Sequence, residues 1–325
     1  MCSPSIVSES ERHRIAALNA RFREVSKSPF GDDDEIGMLN LMTSESMARV
    51  MSEIDAHKIF DLSVDYFNAM PSWTEGGEPT CQISVIRTPN GNIVDDYAGA
   101  GRVQNELVAS CGETISMYTH CGTHIDTLCH FGYHGTMWNG FTAVEHLGSR
   151  GWDVLGAEKQ PAIVARGLLL DVAGAKGLEE LPSGYGIGKD DLLECLERQR
   201  SEVRMGDVVA IRTGRHRAWP DTEAYLDTPP GLNREGAEFL ACAGAMVIGA
   251  DTIGLEQGNS ADPENATPVH TYLLAEAGVL IMEVLDLEEL AAAGVHEFAF
   301  VGACLRIRGA TGSPIRPIAF PLRTT

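Results

Sequence analysis

Tyr118-Thr-His-Cys-Gly-Thr-His-Ile-Asp-Thr-Leu-Cys-His-Phe131 is the stretch on which the reading of this chain turns. It places His120, His124, Asp126 and His130 within eleven residues. Three imidazoles and a carboxylate are donors that suit zinc or manganese, being borderline nitrogens plus one hard oxygen. An ion that keeps an open position there would be a Lewis acid with an activated water. The same residues could instead meet by chance in a loop, or cap and bridge structural elements. Histidine also serves as a plain acid or base.

Spacing narrows the geometry. On an α-helix His120 and His124 would share a face, with Asp126 and His130 turned roughly 80 to 160° away. In an extended chain all four side chains fall on one side, because every offset between them is even. A straight strand would still spread its ends about 33 Å apart at roughly 3.3 Å per residue. An extended chain bent at Gly122 remains, since glycine adopts backbone angles that other residues avoid. The expected local structure is a curled strand-to-loop segment with its polar side chains turned inward.

A second clue lies downstream. Val279–Leu285 is an apolar run with one carboxylate, Glu283, near its centre, and it reads as a strand buried on both faces. A buried carboxylate is costly unless it is paired, protonated or bound to a cation. The preceding segment has a helix's punctuation: Thr267 as N-cap, Pro268 in the first turn and Gly278 as C-cap. His270 then stands at the mouth of a helix and Glu283 inside the next strand, so both could face one cavity. The plainer alternatives are an ion pair from Glu283 to an arginine such as Arg212, and a helix-end role for His270.

Together these residues resemble the putative-cyclase family of metal-dependent hydrolases, which includes arylformamidases (kynurenine formamidases) and isatin hydrolase. The family signature His-x-Gly-Thr-His-x-Asp-x-Pro-x-His stands here as His120-Cys-Gly-Thr-His124-Ile-Asp126-Thr-Leu128-Cys-His130, with Leu128 in place of proline. Weaker matches follow in order: Asp61-Leu-Ser63, Met70-Pro-Ser-Trp73, Met137-Trp-Asn-Gly140, Gly206–Gly214, Pro268-Val-His270 with Glu283, and Gly312–Pro317. The resemblance implies an α/β chain with a swivelling β/β/α-type single domain over residues 1–325, of which 1–40 form an N-terminal extension. It implies His120, His124 and Asp126 as ligands of a divalent ion, zinc or manganese. His130, His270 and Glu283 would then handle the proton or hold a second ion. A proton-shuttle role for His130 gives one ion per chain and a rate that falls below roughly pH 6, near histidine's ordinary pKa.

The expected activity is hydrolysis at the carbonyl carbon of an amide, lactam or formamide, with lactones and esters second. The rivals are a lyase or cyclase using the same Lewis acid, and a non-catalytic metal- or ligand-binding protein. Expected partners are a small carbonyl substrate and further copies of the chain, as a dimer or tetramer. Tyr66, Phe67, Trp73 and Trp138 are core or substrate-pocket aromatics, with Trp73 and Trp138 the pocket candidates.

Composition sets outer limits. Forty-six acidic against twenty-five basic residues give a formal charge of −21, which disfavours nucleic acid and anionic membranes as partners. The eight cysteines show no tight pairing pattern and read as reduced thiols of a cytoplasmic protein. Glu9–Arg23 is polar and helix-like, without the apolar core of a signal peptide or membrane span. Cys121 and Cys129 beside histidines would permit a Cys-His nucleophile, although packing is the simpler role. Gly309–Ser313 lacks the lysine of a phosphate loop and reads as a turn.

No linker or repeat divides the 325 residues, and the alternation of elements gives an α/β class. Helices are expected around 45–57, 189–199 and 233–243. Strands are expected around 59–65, 82–87, 162–170, 207–212 and 245–250, with a short polar one at 94–98.

Overall fold

The computed structural model describes residues 24–323. Its centre is a nine-stranded mixed sheet: β1 (Phe60–Asp61), β2 (His124–Asp126), β3 (Ile163–Asp171), β4 (Val208–Arg212), β5 (Val247–Ala250), β6 (Leu280–Glu283), β7 (Glu297–Gly302), β8 (Gly312–Pro314) and β9 (Ile318–Pro321). The spatial order is β1-β9-β7-β3-β4-β5-β6-β2-β8. The middle four, β3 to β6, are parallel, and every other pairing is antiparallel. Val208-Val-Ala-Ile-Arg212 and Leu280-Ile-Met-Glu283 are buried throughout, as strands covered on both faces must be. The expected α/β class is what the structure shows.

Crossovers between the parallel strands are helical, as that topology requires. They are α2 (Lys189–Gln199), α3 (Arg234–Ala243) and the segment 268–277, while α1 (Ser44–Glu53) packs nearer the N-terminus. Asn233 caps α3 by accepting from the Gly236 amide at 3.0 Å. In α1 the Thr43 and Ser46 side chains bond each other's main chain, and the helix ends at Ile54, short of the expected 57.

Three further expectations need correction. The strand around 59–65 is only two residues long, because the Asp61 carboxylate turns back to accept from the Ser63 amide at 3.1 Å. The polar strand at 94–98 is absent: Thr88 caps a helix over Pro89–Asp95, with Pro89 preset for its first turn. Gly309–Ser313 is a turn only at its start, since Gly312–Pro314 is an edge strand beside β2. The helix-like Glu9–Arg23 lies outside the described residues.

Residues 24–40 pack against the domain. The Ser26 amide donates to Ala275 O at 3.0 Å and the Met38 amide to Gly278 O at 2.8 Å, and Met38 and Leu39 are buried. Gly37 has φ +55°, and a side chain there would strike Gly278 O and Leu128. Leu128 is itself fully buried, so where the signature has a rigid proline this chain holds its loop by packing.

Between the first sheet strand and the metal-type segment the chain leaves the main sheet. Gln82–Arg87 pairs antiparallel with Gly112–Ser116 as a two-stranded ribbon, enclosing the helices Pro89–Asp95 and Arg102–Leu107. This arm returns directly into Tyr118 and His120.

Candidate metal centre

Backbone geometry aims the donors. Gly122 takes φ +61°, and a Cβ there would meet Met70 and the Tyr66 ring at 2.7–2.9 Å. The chain therefore bends where the sequence suggested. Thr123, fully buried, fixes the bend: its hydroxyl donates to Val284 O at 2.6 Å and accepts from the Val64 amide at 2.9 Å. In β2, His124 and Asp126 are two residues apart and so share a face. His124 lies opposite Glu283 of β6, and Asp126 opposite Gly312 of β8. Gly312 is required there, because a Cβ would press to within 2.4–2.8 Å of the His120 ring.

His120 Nδ1 lies 2.6 Å from Asp126 Oδ1, and His124 Nε2 lies 3.3 Å from the same oxygen and 3.6 Å from Glu283 Oε2. His270 Nε2 is 3.1 Å from Glu283 Oε1 and 3.8 Å from Asp126 Oδ2. One donor atom from each of His120, His124 and Asp126 fits within 4.8 Å, and so does one from each of Asp126, His270 and Glu283. His130 follows a turn closed by its amide on Thr127 O at 3.0 Å. Its ring stacks on His120 with centroids 3.8 Å apart, outside both sets of donors.

Whether an ion fits is answered by two atoms. His124 Nε2 and Asp126 Oδ2 are buried without any hydrogen-bond partner. Orphaned buried polar atoms are costly and call for an explanation. His124 Nδ1–H donates to Gly122 O at 2.8 Å, which leaves Nε2 as the nitrogen that faces Asp126 and would meet an ion. A divalent cation would satisfy both atoms at once.

Charge pushes the same way. Burial opposes a charged His124, but Asp126 and Glu283 outweigh it and push its pKa up to about 9. Burial also opposes a charged Asp126, yet the histidines around it, with hydrogen bonds from His120 and His124, hold its carboxyl well below the usual range. His270 is raised: burial acts against its charged form, but Glu256 and Glu283 prevail. Burial pushes His130 down to about 3, so its imidazole stays neutral well below the pH of 6 at which a rate loss was expected. Thiols are poor nucleophiles here, since burial pushes Cys121 and Cys129 each up to about 12.

The structure separates several sequence readings. Glu283 does not pair with Arg212, which is held by Glu288 at 2.7 Å and Asp171 at 2.9 Å. Instead Glu283 accepts from the Gly254 amide at 2.7 Å and faces the histidines. Trp73 lines the cavity beside the cluster; Trp138 does not. Trp138 is fully buried in the core against Gly278, with its indole N–H donating to Asp34 at 3.1 Å. Thr267 gives the helix no side-chain cap. That task falls to Glu256, which accepts from the Val269 and His270 amides and lies 3.2 Å from His270 Nδ1. The helix then widens into π-type turns over Thr271–Ala277.

Sequence reasoning missed Glu256, Glu78, Tyr118 and Phe131, all of which line the cavity. Tyr118 and Phe131 bound the motif and could have been flagged by adjacency. Glu256 and Glu78 sit in irregular loops that carry no periodic signal. The cavity holds about 340 Å³, enough for a compact one- or two-ring molecule.

The family model described as putative cyclase matches residues 60–257, more than half of the chain. The chain belongs to the putative cyclase family. Among solved structures, a novel cyclase shares 29% identity over 91% of this chain and 99% of the other chain, with a TM-score of 0.80. Isatin hydrolase A from Labrenzia aggregata has a similar fold: 20% identity, 86% and 100% coverage, TM-score 0.61. So does a predicted metal-dependent hydrolase from Bacillus stearothermophilus, at 22% identity, 81% and 98% coverage, and TM-score 0.52. No curated protein matches the sequence. Among the described residues no helix is long and apolar enough to cross a membrane.

Proposed function

We propose that the chain is a metal-dependent hydrolase cleaving the carbonyl–nitrogen bond of an amide, lactam or formamide, with lactones and esters as secondary substrates. The observation that carries this reading is the pair of orphaned buried atoms, His124 Nε2 and Asp126 Oδ2, within a cavity large enough for a small carbonyl compound. Solved neighbours described as isatin hydrolases and as a metal-dependent hydrolase support it. His120, His124 and Asp126 would hold one zinc or manganese ion, since two imidazoles and a carboxylate are a donor set that suits either metal. When bound, such an ion supplies Lewis acidity, which polarises a carbonyl and acidifies water.

The chain's own residues do the rest. Gly122 O takes the Nδ1 proton of His124 and so presents Nε2 inward. Glu256 receives the Nδ1 side of His270, which turns Nε2 towards Glu283 and Asp126. Glu283, steadied by the Gly254 amide, stands where it can take a proton from water. His130, stacked on His120 beside the donors, is placed to pass the proton to the leaving nitrogen, and because burial favours its neutral form it would hold that proton only in passing.

The test is a panel of N-formyl arylamines, isatin-like lactams and small lactones, run on stripped protein with zinc or manganese restored. In heavy-oxygen water the acid product must carry solvent oxygen. Turnover without that label would point to a lyase or cyclase and remove the hydrolase reading. Metal analysis should return one ion in both the wild type and His130→Ala; two ions falling to one would make His130 a ligand.

A further inference from the structure

Around the metal donors the cavity lining has its own chemistry. Trp73, Tyr118 and Phe131 supply aromatic faces, and Glu78 and Glu256 supply carboxylates additional to Asp126 and Glu283. No lysine or arginine is among the described residues that line it. Glu78 Oε2 is buried and has no hydrogen-bond partner. The Trp73 main chain bonds this carboxylate, but no donor among the described residues reaches Oε2, and an orphaned carboxylate oxygen in a cavity asks for one.

From this we infer that Glu78 is the substrate-recognising carboxylate, and that the substrate is an aromatic amide or lactam bearing a cationic amino group. The inference rests on the hydrolase reading and adds to it the class of molecule taken. Aromatic walls bind the ring and favour a nearby cation through their π faces. Glu78 then takes the ammonium or N–H in a charge-assisted hydrogen bond, which is worth more than a neutral one.

The electrostatics agree. Burial raises the Glu78 pKa and Glu283 adds to the rise, while the Trp73 main chain, His120 and His124 pull it back. A bound cation would relieve that strain. An anionic substrate would gain no partner on this wall, and the carboxylate that amide hydrolysis releases is repelled from it.

The probes are benzylammonium, benzyl alcohol and benzoate, titrated by calorimetry into the full-length zinc-loaded protein and into Glu78→Gln. The wild type should bind benzylammonium more tightly than benzyl alcohol. In Glu78→Gln, benzylammonium should weaken by about tenfold or more, the scale of one charge-assisted hydrogen bond. Benzyl alcohol should stay within about twofold, which also shows that the variant is folded. Zinc affects benzoate equally in both proteins, so its affinity should hold or improve once the negative charge is gone.

Equal weakening of benzylammonium and benzyl alcohol, or no change in either, overturns the inference. So does a wild type that binds the alcohol as tightly as the ammonium, whatever the variant does. An amide panel without turnover, beside the expected binding pattern, would sink the hydrolase reading and leave the recognition role of Glu78 standing.

Discussion

At the metal end, residues 120–130 and 270–283 fold into one buried knot: His124 and Asp126 are 0–1% exposed, and β2, β6 and β8 lock them in register. In the arm, residues 82–116, the proportions reverse. Val94 is 81% exposed and Val103 83%, and the ribbon has only two strands. Both regions mix apolar and polar residues, but at the metal end the polar atoms point in and the apolar ones hold them there. In the arm the apolar side chains face outward. Precise placement of costly buried donors needs a sheet packed on both sides, and a two-stranded ribbon cannot supply it.

The comparison breaks most sharply at His124. His124→Ala should cut bound metal and turnover by orders of magnitude, because the donor set falls to His120 and Asp126. Full metal occupancy with unchanged rates, measured by elemental analysis and steady-state assay, would mean that the buried knot is structural only.

Next in size is Glu283→Gln, which keeps the shape and removes the charge. Activity should fall by roughly a hundredfold, within the range for a lost acid–base group. The melting temperature should hardly move, since Glu283 carries no arginine partner. Marked unfolding with normal specific activity in the surviving protein would argue for a packing role.

Metal affinity supplies a pH test. With its pKa pushed up to about 9, His124 is protonated in the metal-free protein at neutral pH, and a bound ion must displace that proton. Affinity should therefore weaken about tenfold for each unit that pH falls below about 9, per proton displaced. A pH-independent zinc titration over that range would show that Asp126 and Glu283 do not hold the imidazolium.

The smallest effect belongs to the arm. Val94→Ala and Val103→Ala should each change the urea midpoint by the equivalent of no more than about 0.5 kcal/mol, as surface substitutions do. A larger loss would show that these side chains are covered in solution, and the contrast with the metal end would narrow.

The sequence by itself determined the parts of this protein that depend on local rules. Even spacing put His120, His124, Asp126 and His130 on one side of an extended chain, and Gly122 marked the bend, because side-chain alternation and glycine's φ are properties of a few neighbouring residues. The apolar run around Glu283 announced a covered strand for the same reason. Only the tertiary structure decided which distant groups meet. It brought Glu283 opposite His124, set Glu256 against His270 Nδ1, left Glu78 Oε2 without a partner in the cavity, and drew Trp138 into the core. Those facts follow from strand order and loop packing over scores of residues. A lone glutamate in an irregular loop carries no trace of them, because its role is set by what the rest of the chain leaves unsatisfied around it.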